Sequence, residues 1–193
     1  MLACAAVWSR RTAIRPVPTW ARLRARDLSE AEERLTAEAD GAEAFEAEAR
    51  RLEREQPPLS AWLAQLVERA NDDTAQALAY LLSVEVWAAF RDAFGDALGQ
   101  VSSTELRGVE ELVALDEELR GADAGEPLES DDVIAVQQPD AVAFVRANLE
   151  LAIETGGEVD ALHRVYRAIL VEILALSYAV RPPARVHDAG PSA

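Results

Sequence analysis

From Ser29 to Arg181 the larger apolar residues recur at intervals of three and four, and Pro, Gly and Asp gather only in short gaps between those runs. That period puts side chains on one face of an α-helix, whereas a half-buried strand needs strict alternation. No two segments alternate so as to pair, which restricts the chain to an all-α fold of five or six helices, in a bundle or an irregular helical array. Half of the 193 residues are hydrophobic, enough for one core at this length. The expected organisation is an arginine-rich arm at 1–28, one helical domain at 29–181 and a tail at 182–193.

Charge separates the arm from the body. Residues 1–26 hold six arginines and no acid, while residues 27–193 hold thirteen arginines against thirty-five acids, and the whole chain carries −16. Such a body repels nucleic acid and anionic membrane and favours basic partners. All nineteen cations are arginine, which together with thirty-eight alanines reads as compositional bias of the encoding genome. The apolar run of the arm precedes its positive charges, the reverse of a secretory signal, and no stretch is long and uncharged enough to span a bilayer. A cytoplasmic protein is expected. The arm itself fits a basic strap on the acidic body, a flexible tail, an organelle-type presequence or a start set too far upstream, with Pro16 and Pro18 favouring an extended passage.

Helix signals then follow in order. Ser29 and Glu32 have the spacing of a capping box, and an almost unbroken series of helix formers continues to Glu55. This predicts one long acidic N-terminal helix of charge −7, with a thin seam of Leu28, Ala31, Leu35, Ala42, Phe45, Ala49 and Leu52, and with Gly41 marking a bend or close approach. Pro57 and Pro58 end it. Further helices are expected over 59–70, 74–98, 102–120 (capped by Ser102 and Glu105), 139–155 (Pro139 first, Gly156-Gly157 after) and 158–181. Residues 132–136 read as a turn or short helix. The 158–181 helix is the most lipophilic and is expected at the centre.

Few catalytic signatures are present. Glycine-rich phosphate loops, GxSxG, HExxH and CxxC are absent, and without lysine neither Schiff-base chemistry nor a P-loop is possible. One cysteine excludes an intramolecular disulfide and a cysteine metal cage. His163 and His187 are the only histidines, and no Glu-x-x-His occurs, so no metal or cofactor is assigned.

Two acids stand out. Glu85 falls on the polar strip of its helix wheel and is read as exposed. Glu172 lies among Val165, Ile169, Leu176 and Ala179, where a charge must find a partner such as Arg91 or Arg146, sit at the rim, or serve as a pocket acid. With His163 and Tyr166 it forms the weak catalytic candidate set. The function these features favour is a non-catalytic acidic interaction or regulatory protein, with Glu38, Glu43, Glu46, Glu48 and Glu53 as its binding surface for a basic protein. A homodimer through the long helix, a small helical enzyme or ligand-binding domain with a pocket near Glu172, and a structural or assembly subunit are the alternatives.

Overall fold

The computed structural model describes residues 12–37, 40–121 and 130–183. Among them are eight α-helices rather than five or six: α1 Ala25–Thr36, α2 Gly41–Glu55, α3 Pro57–Arg69, α4 Asp73–Phe94, α5 Ser103–Gly121, α6 Ser130–Gln137, α7 Pro139–Glu154 and α8 Val159–Ala179. Short 3₁₀ turns cover Thr19–Ala21 and Gly95–Ala97, and an isolated bridge joins Leu98 to Val180. The helices form an irregular array.

Two additions account for the corrected count. The expected long acidic helix is two helices, because the chain turns between Thr36 and Gly41 and α2 packs back on α1. Gly41 makes the turn possible: a Cβ there would lie 2.9 Å from the Thr36 carbonyl carbon and 3.0 Å from the Leu35 oxygen. Helix propensity is local and continuous across this stretch, so it carries no sign of the reversal. The other addition is α6, where 132–136 is helical because Ser130 and the acids Asp131 and Asp132 start a turn that Pro139 follows.

The remaining boundaries follow local chemistry. Pro57 and Pro139 occupy first-turn positions, where a missing N–H costs nothing. Ser102 and Glu105 form the reciprocal capping box: Glu105 N donates to Ser102 Oγ at 3.2 Å and Ser102 N to Glu105 Oε2 at 2.7 Å. The other expected box does not form. Ser29 lies inside α1, which begins four residues earlier, and Asp27 accepts the Arg24 N–H at 2.9 Å. Gly156, at φ 99°, ends α7 in the left-handed region.

Helices α4 and α8 pack against each other at the centre, and both are buried all round over residues 82–90 and 168–177. α8 thus has the expected central position, but it shares it with α4. α1 covers α4 and α7, α2 covers α1, α3 and α4, and α3, α5, α6 and α7 complete the shell around α8. The seam on which a dimer was expected is used within the chain: Leu28, Ala31, Leu35, Ala49 and Leu52 are buried in its own core.

The described part of the arm packs on the body. Ile14, Val17, Ala21 and Leu23 are buried, and their backbone is received by side chains: Leu23 N donates to Gln138 Oε1 at 3.1 Å, while Gln138 Nε2 donates to Ala21 O at 2.8 Å and to Ser177 Oγ at 2.7 Å. Asp116 is the second anchor. It is wholly buried and accepts from Thr12 Oγ1 (2.5 Å), Ala13 N (2.8 Å), Ser130 Oγ (2.7 Å) and Arg120 Nε (2.6 Å), tying arm, α5 and α6 together. Burial alone would raise its pKa, but these four donors outweigh it and hold the carboxyl below its ordinary value. Residues 1–11, 38–39, 122–129 and 184–193 lie outside the described residues.

Candidate functional site

α2 buries Gly41, Ala49 and Leu52 on one side, which turns Glu43, Glu46 and Glu53 to water. Behind them Phe45 meets Tyr80 of α4 edge-on, with ring centroids 5.4 Å apart at 71°. Tyr80 is 40% exposed, although it lies on a helix buried for most of its length. Its pKa is raised by partial burial first and then by the nearby charges of Glu53 and Glu46, which places both carboxylates within electrostatic reach of the phenol. Glu43 and Glu53 have no ion pair among the described residues, and Arg50 reaches Glu46 only at 3.9 Å.

The other two expected surface acids are placed differently. Glu38 lies outside the described residues. Glu48 is 6% exposed and belongs to an internal ion-pair hub, with Arg34 at 3.2 Å and Arg91 bonded to its other oxygen. It fastens α2 to α1 and α4 and is not part of a binding face.

Glu172 is 0% exposed, and both its carboxyl oxygens lack a hydrogen-bond partner. Neither expected pairing forms: Arg91 is bonded to Glu48 and Asp92, and Arg146 donates to Asp131 and Tyr166. The rim reading fails with the exposure. Burial pushes the Glu172 carboxyl up to about 8; Ser83 Oγ on α4 pulls part-way back towards the ionised form, without reaching hydrogen-bond distance and angle. Glu172 is therefore a largely protonated acid at neutral pH.

Glu85 is a second buried acid with a raised pKa, and it corrects the wheel reading directly. It is 1% exposed and pushed up to about 7, by burial first and by Glu32 of α1 second. A polar strip on a wheel is solvated only if no neighbouring helix covers it, and α1 covers this one.

His163 and Tyr166 line a cleft between α5, α6, α7 and α8, whereas Glu172 lines neither this cleft nor the one between α3, α5 and α8. His163 is exposed. Tyr166 accepts from Arg146 Nε at 2.9 Å and donates to Asp131 Oδ2 at 3.1 Å. Burial raises its pKa to about 12 despite the arginine, so it is a poor proton donor at neutral pH. The three weak catalytic candidates are thus not assembled around one reacting atom. Among the described residues no group of three or more His, Cys, Asp or Glu is placed to hold a metal ion.

Asp116, Gln138 and the burial of Glu85 were not anticipated. For Asp116 the signal was present: Val109, Val113, Asp116 and Arg120 fall within about 60° on a helical wheel. No family model, curated protein or solved structure matches the chain. Among the described residues no helix is long and apolar enough to cross a membrane.

Proposed function

We propose that this chain is a non-catalytic interaction protein whose acidic α2 face receives a basic protein. The carrying observation is Tyr80, a partly exposed ring held edge-on by Phe45 and flanked by Glu46 and Glu53. An arginine or lysine placed over that ring would gain a cation–π contact and carboxylate hydrogen bonds together. Glu43 extends the same face, and the loose Arg50–Glu46 pair is weak enough for a partner's guanidinium to displace. A net charge of −16 adds long-range steering towards a basic surface. Its cytoplasmic placement rests on composition, with one cysteine and no need for an oxidising compartment.

The alternative of an enzyme or ligand-binding pocket centred on Glu172 is the less supported, since Glu172 lines neither the cleft between α3, α5 and α8 nor the one between α5, α6, α7 and α8. Affinity capture on full-length protein at about 20 and about 150 mM salt tests the proposal, beside a variant carrying Glu43→Gln, Glu46→Gln and Glu53→Gln. A basic protein should be retained at low salt, weaken steeply at the higher salt, and bind the variant at least tenfold less tightly. Equal retention by the variant, or no basic protein at either salt, refutes it.

A further inference from the structure

Several arginines of this acidic chain line a cleft of about 500 Å³ between α3, α5 and α8. Its lining carries four arginines, Arg69, Arg107, Arg164 and Arg167, against one carboxylate, Glu110. That carboxylate is engaged, since Glu110 Oε1 accepts the Trp62 indole N–H at 2.9 Å. Arg167 is held by Glu117 through two bonds of 2.7 and 2.9 Å. Arg164 has only a distant contact with Glu158, at 3.8 Å. Arg69 and Arg107 make no ion pair or side-chain hydrogen bond among the described residues.

Two guanidiniums without a carboxylate partner among the described residues, Arg69 and Arg107, thus line one cleft together with the loosely held Arg164. The walls between the charges are apolar or aromatic: Trp62, fixed by Glu110, with Leu66, Val165 and Val171. The volume falls in the range of small-molecule sites.

We propose that this cleft binds a small amphipathic organic anion, with a carboxylate or phosphate held by Arg69 and Arg107 and an apolar or aromatic body laid against Trp62 and Leu66. It uses different helices from the acidic face and does not depend on the basic-partner reading.

Isothermal titration of the full-length protein with 2-naphthoate and 2-naphthyl phosphate tests it, alongside neutral 2-naphthamide and inorganic phosphate. At least one aromatic anion should bind, and the tighter of the two identifies the head group. Arg69→Ala and Arg107→Ala should each weaken it about tenfold, as loss of a charge-assisted hydrogen bond does. Both side chains are exposed and unpaired, so the fold should be unaffected, as circular dichroism will check. Arg22→Ala with Arg54→Ala removes twice the charge of either single variant, away from the cleft, and should leave affinity within about twofold. No binding of either anion at 5 mM, equal affinity for 2-naphthamide, equal affinity for inorganic phosphate, or equal weakening by the Arg22/Arg54 pair would each overturn the proposal.

Discussion

Replacing Glu172 by glutamine should make the protein more stable at pH 8 while leaving it nearly unchanged at pH 5. The carboxyl is fully covered, has no hydrogen-bond partner and is pushed from 4.5 to about 8. An acid whose folded-state pKa is raised binds its proton more tightly in the native than in the unfolded chain. Its contribution is therefore fully present below about pH 4.5 and is lost as pH climbs through 8. At about 1.4 kcal/mol per unit, the whole displacement corresponds to about 5 kcal/mol, of which about 3–4 kcal/mol falls between pH 5 and pH 8. That is a large share of the roughly 5–15 kcal/mol that holds a domain together. Glutamine keeps the shape and polarity but has no charge to desolvate. Urea unfolding followed by circular dichroism at 222 nm, at pH 5, 6, 7 and 8, gives both stability curves. Glu85 titrates in the same range, and mutual repulsion of the surface acids also grows with pH, but both act on wild type and variant alike. The difference between the curves isolates residue 172. A stability difference constant from pH 5 to pH 8 would show that Glu172 does not titrate in that window, and would refute the account of it as a desolvated, unpaired acid.

Asp116→Ala removes the acceptor shared by Thr12, Ala13, Arg120 and Ser130; unfolding stability should fall by about 3–5 kcal/mol, with faster tryptic cleavage at Arg22 or Arg24. Unchanged stability would show that the arm is not fastened there. Gly41→Ala sets two principles against each other, because helix propensity favours alanine by about 1 kcal/mol whereas the Thr36 backbone, 2.9 Å from the new Cβ, has no room for it. The contact should win, with a net loss of about 1–3 kcal/mol in urea unfolding; a more stable variant would mean that α1 and α2 do not meet in this way. Gln138→Leu leaves Leu23 N and Ala21 O without their partner and should cost about 2–4 kcal/mol in the same assay.

Several elements were legible because their causes are local. Pro57, Pro139, the Ser102–Glu105 box and Gly156 are set by hydrogen bonds and dihedral limits within a turn or two, and each has the expected role. Gly41 was also legible as a point of close approach, although not as a reversal. Asp116 was legible from its company with Val109 and Val113 on the wheel of α5, which its burial bears out.

The helical class, the acidic balance of the chain and the lipophilicity of α8 follow from the order of residues, since a 3.6-residue period and side-chain hydropathy need no partner to be expressed. Which faces are dry was decided only when helices packed. Glu85 and Glu48 have the sequence surroundings of surface acids, yet α1 covers one and Arg34 and Arg91 enclose the other. Arg69, Arg107 and Arg164 are far apart in the chain and share a cleft only because α3 and α5 both lean on α8. Burial and charge clustering are properties of distances between helices, and a one-dimensional pattern does not contain those distances.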